Sequence, residues 1–148
     1  MSFTESIKTV FFQKYATFKG RAPRSEFWWT WLISLVMSFI PIINIIYYVI
    51  TIVPLTAVTF RRVHDTNRSA WLVFAPLILM FIVPGIFFLI IIFFEVSGQF
   101  PLSKLVMPPI AIAIGISLWT FYLMFLRGDA SENRFGPSPL LEKSTEDL

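Results

Sequence analysis

The sequence predicts an all-α, polytopic membrane protein: four transmembrane helices preceded by an N-terminal amphipathic helix at the interface. Three observations carry this. Hydrophobic residues make up 56% of the 148 and charged residues 14%, against roughly 45–50% and about 25% in soluble domains. The excess is partly aromatic, with 17 Phe and 5 Trp, more apolar surface than a soluble fold of this size hides. Finally, residues 27–60, 70–94 and 105–126 contain no charged side chain.

The N-terminal helix is read over residues 2–19. Ser2 and Glu5 fit a capping box. Phe3, Ile7, Val10, Phe11, Tyr15 and Phe18 recur at helical spacing, Lys8 and Lys14 lie off that stripe, and Gly20 stops it. Such a helix suits a membrane surface; the alternative is packing against the rest of the protein. No signal peptide is visible in residues 1–26, so targeting is expected to come from the first membrane helix.

Residues 27–60 are too long for one ordinary span: about 51 Å as a helix, against a hydrocarbon core of about 30 Å. Pro41 and Asn44 interrupt the stretch, which divides it into spans at about 26–41 and 44–60 joined by a tight turn. Residues 61–69 form a polar loop. The third span covers about 70–94, with kinks expected at Pro76 and Pro84-Gly85. The fourth covers about 105–126, where Ala111, Ala113, Gly115 and Ser117 form a close-packing face. Residues 1–135 make one membrane domain, and 136–148 a polar tail expected to be flexible.

Charge sets the orientation. With four spans, eleven of the twelve Lys and Arg share one side and only Lys104 lies opposite, so both termini are expected in the cytoplasm. Trp28, Trp29, Trp31 and Trp71 fall at that interface, and Tyr47 and Tyr48 suit the other.

Catalytic chemistry finds little support. The chain has no Cys and one His, which leaves no metal cluster and no thiolate. His64 beside Asp65 lacks a positioned nucleophile. No ionisable residue lies inside a span, which argues against a proton-coupled transporter. Asn44, Thr51, Thr56, Thr59 and Ser117 are the polar residues within the spans, expected to bond backbone or a neighbouring helix. No cofactor is implied, and basic residues beside apolar spans make nucleic acid a poor partner.

Three segments on the cytoplasmic side stand out: FKGRAPRSEFWW at 18–29, RRVHDTNRSAW at 61–71 and ENRFGP at 132–137. Together and in this order they resemble the bacterial inner-membrane family catalogued as domain of unknown function 805, over most of the chain. The family often carries Gly where this chain has Asn67 and Ala70. The resemblance implies a membrane location and a shared cytoplasmic surface, and no activity.

Read for themselves, Arg21, Arg24, Arg61, Arg62, Arg68 and Arg134 suit a basic pocket at the lipid–cytosol boundary, since Arg holds phosphate in bidentate fashion. Glu26 and Asp65 would orient the guanidinium groups, and His64 and Asn133 complete the candidate set. The competing reading is topological: basic residues flank spans and pair internally. The function expected is a non-enzymatic accessory or scaffold protein whose basic face binds anionic lipid or a protein partner. The rivals are an oligomeric transporter or channel subunit and a lipid head-group enzyme.

Overall fold

The structure, a computed structural model, describes residues 1–95 and 102–139. The regular elements among them are helices, without a strand; a single bridge joins Asn133 and Gly136. The elements are α1 (Phe3–Lys8), α2 (Arg24–Ser38), α3 (Ile43–Asp65), α4 (Trp71–Glu95) and α5 (Leu102–Phe125). The helices Ile43–Asp65 and, within α5, Met107–Phe125 are long and apolar enough to cross a membrane. The chain divides into two compact units, Met1–Ala70 with Met124–Leu148, and Trp71–Leu123.

In the first unit α1 opens with the expected capping box: the Ser2 hydroxyl accepts from the Glu5 N–H, and the Ser2 N–H donates to the Glu5 carboxylate at 2.7 Å. The helix is shorter than the stripe suggests. It continues as a π-helical stretch, Thr9–Gln13, closed by the Lys14 N–H on the Thr9 carbonyl at 2.7 Å, and residues 14–20 are not helical. Periodicity over 2–19 overstates the helix because Tyr15 and Phe18 face α3 from this irregular return. Tyr15 donates to the Ile50 carbonyl, and Phe18 meets Phe60 edge-on at 5.2 Å.

The α2–α3 hairpin forms, with α2 ending at Ser38 and α3 beginning at Ile43, three residues and one residue before the expected bounds. Asn44 donates through its backbone to Ile40 at 3.0 Å and through its side chain to Ser38 at 3.4 Å. Ile42 has φ 69°, a left-handed conformation costly for a β-branched side chain. Ser34 is buried between the helices, where its hydroxyl meets the Tyr47 hydroxyl at 3.0 Å and its carbonyl accepts from Tyr48 at 3.1 Å. The two tyrosines therefore join α2 to α3. The helix α3 does not stop at residue 60 but runs through the expected loop to Asp65. Thr51, Thr56 and Thr59 donate to carbonyls four residues back, as the sequence suggests.

The second unit comprises α4 and most of α5. The first runs unbroken through Pro76 and Pro84. The second begins at Leu102, so Lys104 lies in its first turn. Ser117 donates to Ala113 at 2.8 Å, and a Cβ at Gly115 would meet no atom within 4 Å, so the small-residue face is open. Of the tail 136–148, residues 140–148 lie outside the described residues.

Candidate functional site

The first unit brings the three motif segments together at the C-terminal end of α3. Four carbonyls at a helix C-terminus lack intrahelical partners, and at a membrane boundary each needs a donor. The end of α3 finds them partly in its own chain. The N–H of Asn67 donates to His64 at 3.0 Å and that of Arg68 to Val63 at 3.4 Å, with Asn67 at φ 56°. This is a Schellman cap, whose left-handed position favours Gly and next Asn. Other donors come from elsewhere: the Asn133 side chain donates to the His64 carbonyl at 3.1 Å and Asp129 N–H to that of Asp65 at 2.8 Å, while Ala22 N–H adds to the Arg61 carbonyl one turn earlier at 3.0 Å.

Arg21 is the centre of this arrangement and is almost fully buried. Its Nε donates to Asp65 Oδ1 at 2.9 Å, Nη1 to the carbonyls of Ser131 at 2.7 Å and Gly136 at 3.3 Å, and Nη2 to those of Asp129 and Asp65. One guanidinium thus binds all three segments. Arg62, also buried, donates to Asp65 Oδ2 at 2.7 Å and to the carbonyls of Met124 and Leu126. Asp65 is shared by two cations, and the surplus positive charge rests on main-chain oxygens in place of water. Arginine suits this because its five donors point outward in one plane.

A second pair lies deeper. Arg61 Nη1 meets Glu26 Oε1 at 2.5 Å, with both side chains buried. Among the described residues, Arg61 Nε and Nη2 and His64 Nδ1 are buried without a hydrogen-bond partner.

The third segment forms a tight turn. Asn133 and Gly136 exchange backbone bonds at 3.1 and 2.9 Å, and the Asn133 side chain accepts from Phe135 N–H at 2.9 Å. Gly136 has φ 124°, which only glycine adopts readily. The turn stacks Phe135 on His64, centroids 3.9 Å apart, and sets Arg134 over the Phe135 ring at 4.7 Å, with its Nη2 on the Asn67 carbonyl at 3.2 Å.

Of the six arginines expected to converge, Arg21 and Arg62 meet on Asp65 and on main-chain oxygens, whereas Arg61 pairs with Glu26 and Arg134 reaches the Asn67 carbonyl. The donors of Arg21 and most of those of Arg62 are already engaged, and His64 faces an aromatic ring instead of a nucleophile. Arg24 differs. It is exposed, its Nε donates to Leu126 at 3.1 Å, and it borders an open groove of about 500 Å³ lined by Arg24, Ser25, Trp28, Trp29, Trp31 and Leu32. Arg68 is half-buried.

Sequence reading missed Gly128, where any Cβ would collide with the Asp65 carboxylate. It also missed the carbonyls of Met124, Leu126, Asp129 and Ser131, because a main-chain acceptor has no residue signature. Among the described residues no group of three or more His, Cys, Asp or Glu could hold a metal ion.

A helical chain with apolar membrane-length segments, pinned by buried arginines at the end of one of them, is a small integral membrane protein in architecture. The sequence matches the family described as Protein of unknown function (DUF805) over residues 37–137, and the chain belongs to that family. It is 31% identical to Inner membrane protein YhaH of Escherichia coli (strain K12) over 146 residues, covering 88% of this chain and 93% of that one. It is 34% identical to Inner membrane protein YhaI of the same organism over 95 residues, 55% of this chain and 75% of that one. No solved structure matches. These relatives support an inner-membrane location.

Proposed function

We propose that this is a four-span inner-membrane accessory or scaffold protein, with both termini in the cytoplasm, that holds an anionic lipid at the start of α2. The four spans rest on the uncharged stretches and on the eleven-to-one charge bias. The arginines of the motifs act as an internal clasp that fixes the cytoplasmic face. The lipid site lies beside them.

The groove between Arg24 and Leu32 carries this reading. At its upper end Arg24 supplies a cation beside the N-terminus of a 15-residue helix, whose open N–H groups favour an anion. Lower down, Trp28, Trp29 and Trp31 give the aromatic lining that belongs at head-group depth, and Leu32 continues it toward an acyl chain. Arg24 Nη1 and Nη2 make no hydrogen bond or ion pair among the described residues, unlike the donors of Arg21. Lys8, Lys19, Arg127 and Arg134 are exposed in the same unit and add a diffuse attraction, about 1 kcal/mol for each basic residue near an anionic surface.

The test is lipid retention by native mass spectrometry, with Arg24→Gln beside Arg127→Gln as a charge-matched control. Loss of retained anionic lipid in Arg24→Gln alone supports the site. Equal retention in both variants removes it and leaves a protein partner as the reading of the basic face.

A further inference from the structure

We propose that the N-terminal segment is re-entrant: it descends into the cytoplasmic leaflet beside α2, turns at the π-helical stretch and climbs back along α3. This rests on the cytoplasmic N-terminus proposed above.

Depth is read from the partners. The α2–α3 hairpin is antiparallel, with the Arg61 side chain reaching Glu26 toward one end and the Tyr47 side chain reaching Ser34 toward the other. Phe3 packs edge-on against Trp29 at 5.5 Å, near the first end. Phe11 meets Tyr47 at 6.4 Å, at the second. Tyr15 then bonds Ile50, and Phe18 meets Phe60 at 5.2 Å, back at the first end. Tyr47 and Phe60 are thirteen residues apart on α3, about 20 Å at 1.5 Å per residue. A helix lying flat on the surface would touch α3 at one level; this segment touches it across most of a leaflet.

The chemistry of the segment fits immersion. Non-helical backbone survives at membrane depth only where it packs on protein, and the returning chain contacts α3 through Tyr15 and Phe18. Ser6 and Thr9 are buried and bonded within the segment, to the Ser2 carbonyl at 2.8 Å and the Gln13 side chain at 3.2 Å. Phe12, at the tip, is 79% exposed and has lipid as its natural contact. Lys14 is half-buried.

The chain has no Cys, so single nitroxide labels can be placed by Thr4→Cys, Phe12→Cys and Lys19→Cys in the full-length protein in proteoliposomes. Phe12 is solvent-accessible in the fold, so its replacement leaves packing intact. The label at position 12 should favour molecular oxygen over a water-soluble nickel reagent, and those at 4 and 19 should show the reverse. Equal accessibility at all three positions would mean that the segment lies flat and would overturn the proposal. Maleimide labelling of the C-terminal tail reports the orientation separately, so a failure of topology is told apart from a failure of immersion.

Discussion

The Tyr15 hydroxyl donates to the main-chain carbonyl of Ile50, the oxygen that Pro54, lacking an N–H, leaves without its helical partner. A proline inside a long apolar helix thereby creates an acceptor that a distant side chain fills. Tyr15→Phe should lower the thermal stability of the detergent-solubilised protein, by about 1–3 kcal/mol for an acceptor left unpaired on an apolar, lipid-facing surface. In a Pro54→Ala background the helix supplies its own N–H, so the same substitution should cost much less. Equal costs in both backgrounds would show that the hydroxyl does not serve this carbonyl.

Gly128 is required by contact. A methyl there would occupy the place of the Asp65 carboxylate and displace the acceptor shared by Arg21 and Arg62. Gly128→Ala should destabilise the protein by about 1–3 kcal/mol, the usual cost of overpacking. An unchanged unfolding midpoint would place residue 128 away from Asp65.

At Asn67 the sign depends on backbone conformation. With φ at 56°, Asn67→Gly should leave stability unchanged or raise it, while Asn67→Val should lower it by about 1–2 kcal/mol. Comparison of the two midpoints checks the left-handed cap; a tolerated Val would contradict it.

The proposed four-span topology predicts that cysteine introduced by Ser97→Cys reacts with an impermeant maleimide in intact cells and that Ser144→Cys does not. Labelling of position 144 from outside would break the four-span reading.

Much of this architecture is legible in residue order. The uncharged stretches mark the apolar segments, Pro41 and Asn44 mark the hairpin turn, and Ser2 with Glu5 marks the start of α1, because each is a local signal. The three motifs lie together at the end of α3. What they do with their charge is not legible, since Arg21 binds the oxygens of Asp129, Ser131 and Gly136, which any sequence offers. The end of α3 is misread for a related reason: Arg61 to Asp65 look like a solvated loop by charge, and only their bonds to residues from two other segments let the helix continue through them.

The central claim is that the motif arginines clasp the cytoplasmic face and that lipid is held beside them. Thermal unfolding and lipid retention, measured together on Arg21→Lys and Arg62→Lys, test it most directly. Lysine keeps the charge but offers three donors from one atom, so several carbonyls lose their partners, each at about 1–3 kcal/mol. Both variants should unfold at clearly lower temperature while the folded fraction keeps its anionic lipid. Unchanged unfolding with loss of lipid would contradict the account and make these arginines the ligand site.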